Sequence, residues 1–300
     1  MRPWPLPCKI LRVADKAKNG YLMMSPPPLQ PHVLLIGCGN MGTALLRGWG
    51  TDQGMRLSVI DPRPLPADLS PFVSWSGTTF TDLPQNARFD MIVLAVKPQQ
   101  IDSVLDDLSQ ALSPTTAVLS IAAGRTISGI ARHFPAGQVI IRAMPNLPAA
   151  IGQGITAAFT PKNSSPTQKE LAGRLLAAAG TVVWVDTEEM IDAVTALSGS
   201  GPAYLFLLVD VLAQAGVMLG LSPDLAMRLA RTMVTGSAAL LAERPELSAR
   251  DLRDQVTSPG GTTSAALDVL LGSNENTAPL QTLFNTALSA AKRRAEELKQ

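Results

Sequence analysis

The sequence predicts an α/β protein in two parts: an N-terminal domain built on a doubly wound, mostly parallel sheet, and an all-α C-terminal domain. Three observations predict this. A short apolar run near residue 33 is followed at once by a glycine-rich turn and a helical pattern. Further apolar runs alternate with helix-compatible segments up to about residue 186, and from there the apolar stretches lengthen and lose strand-like punctuation. A chain of 300 residues is long enough for two such domains.

The first strand and turn carry a dinucleotide-binding pattern. The apolar run Val33–Ile36 leads into GCGNMG, which fits G-x-G-x-x-G between a strand and a helix. The first glycine allows the tight turn, the second lets backbone approach a pyrophosphate, and the third lets the helix pack closely. The phosphates would lie on N–H groups at the helix start. The sequence therefore predicts a Rossmann domain that binds NADPH or NADH, with contacts from Gly37, Gly39, Asn40, Met41 and Gly42.

The second strand bears on the choice of coenzyme. It is predicted over Arg56–Ile60 and ends in Asp61, close to the spacing expected for an acid that binds the ribose. Asp61 would accept a hydrogen bond from a free 2′-hydroxyl and repel a 2′-phosphate. Arg63 could pair with that phosphate. The coenzyme preference stays open, with Asp61 slightly favouring NADH.

Three further apolar runs, Met91–Val96, Ala117–Gly124 and Gln138–Met144, complete the predicted sheet, because strands covered on both faces read as continuous apolar runs. Helices are expected between them over 99–112 and 128–134. Ligands of such sheets bind beyond the carboxyl ends of the strands. Lys97 could be a plain surface lysine, and the MPNLP segment at 144–148 is equally well interpreted as a rigid connection or as a loop that faces the substrate. We nevertheless expect coenzyme contacts here from Ala95, Val96, Lys97, Pro98 and Asn146.

The second half is predicted to be helical. One apolar run, Pro202–Leu221, is about as long as a membrane span. Asp210 and Gln214 fall near its middle, where lipid would disfavour them, so a helix buried within protein, at a subunit interface, is the better interpretation. Helices are predicted over 188–197, 202–219, 223–241, 248–256, 263–271 and 279–298, with Ser222 and Ser248 as N-caps.

Composition excludes several classes of function. The formal net charge is +1, which argues against a nucleic-acid partner, and no membrane partner is expected. Two cysteines and two histidines are too few for a disulfide framework or a metal site and suit a reducing, cytoplasmic location. Residues 1–30 hold several prolines and no apolar signal-peptide core, so we expect a poorly ordered N-terminal extension.

The segment Thr257–Thr263, TSPGGTT, is richer than a plain turn requires. Its paired glycines are expected to expose consecutive N–H groups, which suits an anion, and hydroxyls crowd the same place. Since no lysine or arginine is present, a small carboxylate fits better than a triphosphate. The alternative is simple helix capping. The candidate ligand-binding residues are Ser258, Gly260, Gly261, Thr262 and Thr263.

Six motifs together resemble the pyrroline-5-carboxylate reductase family, from about residue 32 to 298. They are GCGNMG, AVKPQ (95–99), SIAAG (120–124), RAMPNLP (142–148), LSGSGPAY (197–204) and the most specific, VTSPGGTT (256–263). The resemblance implies NAD(P)H-dependent reduction of 1-pyrroline-5-carboxylate, a cyclic imino acid, to L-proline. It further implies a dinucleotide-binding domain at 31–186 and a helical dimerisation and substrate-binding domain at 187–300, in a homo-oligomer that is at least a dimer.

The resemblance places the substrate on the TSPGGTT segment, where we expect Thr263 to orient the imine as the catalytic residue. Two features depart from the family pattern: the leading 30 residues, and an Asp-Pro-Arg sequence at 61–63 in place of small hydroxyls. A β-hydroxyacid dehydrogenase is one alternative, but its catalytic lysine position holds Leu205 here. A non-enzymatic NAD(P)-sensing protein is the other, although a sensor needs no second anion site.

Overall fold

The computed structural model describes residues 30–52, 54–108, 112–272 and 278–299, so the predicted extension lies outside it except for its last residue. Within this part of the chain, eight strands form one sheet. Their bounds are β1 His32–Ile36, β2 Arg56–Ile60, β3 Trp75–Gly77, β4 Met91–Leu94, β5 Ala117–Ser120, β6 Ile140–Met144, β7 Gly154–Phe159 and β8 Gly180–Trp184.

The strand order is β3-β2-β1-β4-β5-β6-β7-β8, and every pair is parallel except β6 and β7. This arrangement confirms the predicted α/β class with a mostly parallel sheet. The exception has a local cause. A 3₁₀ turn at Leu147–Ile151 and the left-handed Gly152, with φ 70°, reverse the chain too soon for a crossover helix. Strands β4 and β5 end earlier than predicted, at Leu94 and Ser120, which leaves the following residues free to form loops.

Four helices flank the sheet: α1 Asn40–Trp49, α2 Ile101–Leu108, α3 Ile127–Ala131 and α4 Pro166–Ala177. Alternate residues of each inner strand pack on opposite faces, as Leu34 and Leu35 do. The core therefore has two layers, with α1 and α4 covering one face and α2 and α3 the other. Trp49, only 1% exposed, donates from Nε1 to the Leu175 carbonyl at 2.8 Å and joins α1 to α4.

Beyond β8 the described chain is helical, as predicted. The helices are α5 Met190–Val194, α6 Gly201–Met218, α7 Pro223–Glu243, α8 Ala249–Gln255, α9 Thr262–Leu271 and α10 Pro279–Glu297. A π-helical segment, Thr195–Gly199, joins α5 to α6. Ser248 caps α8 by accepting from the Asp251 N–H at 3.1 Å, whereas Ser222 lies at the N-cap of α7 without a side-chain capping bond.

Met190–Met218 is the one helix of the described residues long and apolar enough, by length and composition, to cross a membrane. The expectation that α6 is buried within protein does not hold for a single chain, where Ala213 is its one buried residue. Phe206 and Leu207 are about three-fifths exposed, at 58% and 62%. Since a soluble monomer rarely exposes so continuous an apolar face, α6 is a surface that needs a partner.

Candidate functional site

A cavity of about 900 Å³ opens at the carboxyl ends of β1, β2 and β4, within the usual size of a cofactor site. Nine of the predicted coenzyme residues line it: Gly37, Gly39, Asn40, Met41, Asp61, Arg63, Ala95, Val96 and Lys97. Gly42, Pro98 and Asn146 do not line the cavity, because each of them contacts other parts of the protein instead. All residues lining this cavity lie between Ile36 and Asp107, so none comes from the helical half of the chain.

The three glycines of the motif are needed for three different contacts. Gly37 has φ 94°, and a Cβ there would lie 2.9 Å from the Ala95 carbonyl oxygen. A Cβ on Gly42 would overlap the Gly37 carbonyl oxygen, so this glycine holds α1 against the turn and has no free surface for a ligand. A Cβ on Gly39 would meet no atom within 4 Å. Only the second glycine therefore keeps open space for something other than protein.

That open space lies at the N-terminus of α1. Gly39 is the N-cap and offers no side-chain acceptor to the first N–H groups of the helix. The first α-helical bond runs from the Thr43 N–H to the Gly39 carbonyl at 2.8 Å. The preceding N–H groups and the helix dipole favour an anion here. This cradle fits the pyrophosphate of a dinucleotide, which approaches backbone where a side chain would block it.

Asp61 follows β2 and is 6% exposed. Its carboxylate accepts from the Cys38 N–H at 2.6 Å, within the glycine-rich turn, and from Arg63 through the backbone N–H at 2.9 Å, Nε at 3.1 Å and Nη2 at 3.2 Å. Burial acts to raise the pKa of Asp61, but the hydrogen bonds from Arg63 and Cys38 outweigh it and hold the pKa below its ordinary value. Asp61 is therefore an ionised group that ties the turn to β2.

Lys97 and Pro98 occupy the turn after β4. Lys97 is exposed and lines the cavity. Pro98 does not line the cavity, and its carbonyl accepts from Arg125 Nη2 at 2.8 Å. Arg125, 6% exposed, also donates to both oxygens of Asp102 at 3.1 and 2.8 Å. These bonds lower the pKa of the Asp102 carboxyl. Pro98 thus belongs to the support of the cavity wall and not to its lining.

Asn146 links the sheet to the helical half. Its Oδ1 accepts from the Ile155 N–H at 3.0 Å, and its Nδ2 donates to the Ser198 carbonyl at 3.2 Å. Ser198 lies in the π-helical segment, and a Cβ on the adjacent Gly199 would lie 2.8 Å from Met144 Cε. Both ends of the Asn146 amide are used within the protein, which explains its absence from the cavity lining.

The TSPGGTT segment forms a turn that opens α9. Gly260 is left-handed at φ 69°, and the Gly261 N–H donates to the Ser258 carbonyl at 3.0 Å. The two glycines therefore do not expose consecutive N–H groups as expected, because one of them closes the turn. The groups available to an anion are instead the N–H groups of Thr262 and Thr263, which precede the first helical bond, from Ala265 to Gly261.

The Thr257 hydroxyl donates to the Arg253 carbonyl of α8 at 2.7 Å, but no hydroxyl of this turn caps the start of α9. The N-cap of α9 is Gly261, and no side-chain capping bond is made there. Among the residues that the structure describes, the hydroxyls of Ser258, Thr262 and Thr263 have no hydrogen-bond partner within the chain. This favours a ligand over simple capping. In a single chain, however, the turn lies outside the coenzyme cavity.

The cavity also has walls that the sequence did not indicate. Residues after β3, just before α2 and along α2 line it: Thr78, Thr79, Phe80, Gln100, Ser103, Val104 and Asp107. Strand β3 has three residues and no apolar run, so nothing marked it as a strand whose carboxyl end reaches the site. The hydroxyl-rich sequence Ser76-Gly77-Thr78-Thr79 was the available signal.

Two family models match the chain. The model for pyrroline-5-carboxylate reductase dimerisation matches residues 188–298, and one described as NADP oxidoreductase, coenzyme F420-dependent, matches residues 32–124. Among curated relatives, the pyrroline-5-carboxylate reductase of Pseudomonas aeruginosa is 37% identical over 273 residues, covering 89% of this chain and 97% of the relative. That of Mycobacterium tuberculosis is 39% identical over 292 residues, covering 89% and 96%.

Solved structures agree with these matches. A pyrroline-5-carboxylate reductase from Coxiella burnetii superposes with a TM-score of 0.79 at 35% identity, covering 90% of this chain and 99% of that one. The Plasmodium falciparum enzyme, solved with NADP bound, has a TM-score of 0.73 at 26% identity and covers 90% and 98%.

Proposed function

Because this chain belongs to the pyrroline-5-carboxylate reductase family, we infer that it reduces 1-pyrroline-5-carboxylate to L-proline by hydride transfer from NAD(P)H. The observation that carries this function is the open cradle at Gly39, where the helix start and a cavity of about 900 Å³ meet and a Cβ would touch no protein atom. The relatives that match over nearly their whole length favour this function over a hydroxyacid dehydrogenase or a nucleotide sensor.

The coenzyme, when bound, supplies the hydride. The chain's own residues have to hold and orient it. In this proposal, the N–H groups at the start of α1 bind the pyrophosphate, and Gly39 leaves room for it. Lys97 and the backbone of Ala95 and Val96 line the cavity beyond β4. Asn146 is a support residue, since its amide is used to hold β7 and the π-helical segment.

The substrate belongs to the turn that opens α9. The N–H groups of Thr262 and Thr263 bind the carboxylate, and the Thr263 hydroxyl hydrogen-bonds to the ring nitrogen. A protonated cyclic imine is already electrophilic, so the hydride adds to the carbon of the C=N bond and the π electrons move to nitrogen. The nitrogen keeps its proton and becomes a secondary amine. Such a reaction needs orientation and electrostatic complementarity, which suits a site with few acids and bases.

Assembly completes the site in this proposal. The match of the dimerisation model to residues 188–298 supports a homo-oligomer, and the exposed apolar face of α6 is the surface that we assign to a dimer through the helical domain. Residues 31–186 form the dinucleotide-binding domain, and 187–300 form the dimerisation and substrate-binding domain. Because the α9 turn does not line the coenzyme cavity of its own chain, we assign that role to the turn of the partner subunit. A cytoplasmic location suits the two cysteines of the chain.

The deciding assay follows the nicotinamide absorbance. Purified protein with NADPH or NADH should consume the reduced coenzyme when 1-pyrroline-5-carboxylate is added. When the protein is given oxidised coenzyme and a panel of 3-hydroxyacids, no reduced coenzyme should form. Hydroxyacid oxidation would establish the dehydrogenase instead, and coenzyme binding without turnover of either substrate would establish the sensor.

A further inference from the structure

We propose that the Asp61–Arg63 pair makes this chain selective for NADPH over NADH, with Asp61 as a positioning residue and Arg63 as the group that recognises the 2′-phosphate. The inference rests on the proposed coenzyme site, and it reverses the slight preference for NADH that an acid after β2 indicates. It follows from how the structure uses the carboxylate.

The Asp61 carboxylate has no capacity left for a ribose hydroxyl. An ionised carboxylate offers about four lone-pair sites. In this structure the two oxygens accept four hydrogen bonds, one from the Cys38 N–H and three from Arg63. The side chain is also 7% exposed, so a 2′-hydroxyl could reach it only by displacing one of these donors. The acid that should favour NADH is therefore committed to the protein.

Arg63 is presented in the opposite way. Its side chain is 67% exposed, although Nε and Nη2 are fixed by Asp61 and Nη2 also lies 3.3 Å from the Cys38 carbonyl oxygen. Among the described residues no acceptor is bound to Nη1, so this edge of the guanidinium can donate to a ligand. The ion pair fixes the orientation of an otherwise flexible side chain, and the remaining nitrogen, Nη1, can donate charge-assisted hydrogen bonds to phosphate oxygens.

The surroundings of Arg63 suit a phosphate as well. Arg63 lines the coenzyme cavity and also a small adjoining cavity of about 90 Å³, whose other walls include Ser76 and Thr78. The Ser76 hydroxyl makes no hydrogen bond within the described chain and can donate to a phosphate oxygen. The nearby Asp82 carboxylate is occupied by the N–H groups of Thr78 and Thr79 at 2.8 and 2.9 Å.

The test compares two fragments that differ only at the ribose: adenosine 2′,5′-bisphosphate and adenosine 5′-monophosphate, measured by calorimetry. The parent protein should bind the bisphosphate about 10- to 100-fold more tightly, the range for a charge-assisted hydrogen-bonded pair. Arg63→Gln should lose most of this ratio while its affinity for the monophosphate stays within about twofold. Arg47→Gln is the matched control, since Arg47 is an exposed arginine that pairs with Asp68 and lies outside the cavity lining.

Asp61→Asn separates the two roles. If Asp61 positions the turn and Arg63, this variant should weaken both fragments, and the ratio of kcat/KM with NADPH to kcat/KM with NADH should not rise. A rise in that ratio would show that Asp61 faces the ribose, and an unchanged ratio in Arg63→Gln would show that Arg63 does not face the phosphate. Either result overturns the proposal. If the parent protein bound neither fragment, the result would instead refute the coenzyme site itself.

Discussion

The carboxylate of Asp192 lies 2.6 Å from the Lys299 ammonium, an ion pair that joins the start of the helical half to the end of the chain. Asp192 is 1% exposed, and its Oδ2 receives no hydrogen bond of regular geometry, so the Lys299 charge compensates it directly. On its other side, Oδ1 accepts from Arg142 of β6 at 3.3 Å. The pair closes a charged cluster between sheet and helices.

Replacing Lys299 with methionine should therefore destabilise the protein. Removing one partner of a fully buried pair costs about 3–5 kcal/mol, and since Lys299 is 30% exposed we expect about 1–3 kcal/mol. The free energy of unfolding in urea measures this. Lys292→Met, which removes an exposed pair with Glu296, is the control and should change stability by less than about 1 kcal/mol. Equal changes in the free energy of unfolding for the two variants would show that the charged cluster contributes no extra stability.

Gly39→Val should abolish coenzyme binding and leave the fold intact. Its Cβ would enter the space assigned to the pyrophosphate and meet no protein atom, so the cost in stability should be about 1 kcal/mol or less. Fluorescence titration with NADPH and a thermal melt measure the two effects. Gly42→Val is the contrasting variant, because its Cβ would overlap the Gly37 carbonyl oxygen and should lower stability itself. Normal coenzyme affinity in Gly39→Val would rule out the cradle.

Thr263→Ala should lower kcat by about ten- to a thousand-fold, the range for loss of a positioned hydrogen-bond donor. Coenzyme affinity should hardly change, because the proposal assigns the Thr263 hydroxyl to the ring nitrogen of the substrate and not to the coenzyme. Stability should also persist, since the N-cap of α9 is Gly261 and uses no side chain. Thr263→Ser keeps the hydroxyl and should recover most of the turnover. A Thr263→Ala protein that melts early yet turns over normally would assign the residue to capping alone.

Mixing two inactive variants tests whether neighbouring subunits share a site. Gly39→Val loses the coenzyme cradle and Thr263→Ala loses the substrate turn. If each site combines the cradle of one subunit with the turn of its partner, every mixed dimer holds one intact site. Unfolding and refolding an equimolar mixture should then restore about a quarter of the parent activity. Activity no higher than the sum of the separate variants would place both parts of the site in one chain.

His32 should make stability depend on pH near neutrality. Burial and the charge of Arg56 lower its pKa, and its ring nitrogens contact the Arg88 carbonyl and the Ser58 hydroxyl, each at 2.8 Å. Because the folded pKa lies below the unfolded value of about 6.5, stability is full above that pH and falls as the pH drops below it. Unfolding free energies between pH 5.5 and about 7.5 should show this slope, and His32→Gln should flatten it. An equal slope in both proteins would assign the effect to other groups.

The strands that could be predicted are those with both faces covered. Their continuous apolar runs mark β1, β2, β4, β5 and β6. Strands β3 and β8 lie at the sheet edges, where partial exposure breaks the run, and neither was predicted. Strand β7 follows a tight reversal of the chain, and the hydrophobic pattern of the sequence does not predict that reversal. Helix α4 was missed although its start carries a capping box, in which Ser165 and Gln168 cap each other's N–H groups.

The parts of the site formed by the backbone could be predicted from the sequence. The hydrogen-bond partners of its side chains could not. The glycine motif located the cradle, because strand, turn and helix follow each other directly in sequence. The partners of Asp61 could not be read in the same way, because Cys38 meets it only after folding and the sequence does not show whether the nearby Arg63 turns toward Asp61 or toward a ligand. For Asn146, which was predicted to contact the coenzyme, nothing in the sequence indicates that its amide also binds β7 and the π-helical segment.

The apolar face of α6 ties the lifetime of the folded chain to its concentration. In the proposed dimer, association covers the exposed side chains of Phe206, Leu207 and their neighbours, so mass action favours folded protein when copies are abundant. On dilution below the dissociation constant, each released protomer exposes this face to water and to other unfolded chains. Loss of activity on dilution should then become irreversible through aggregation. The half-life of the active enzyme in storage should therefore increase with its concentration.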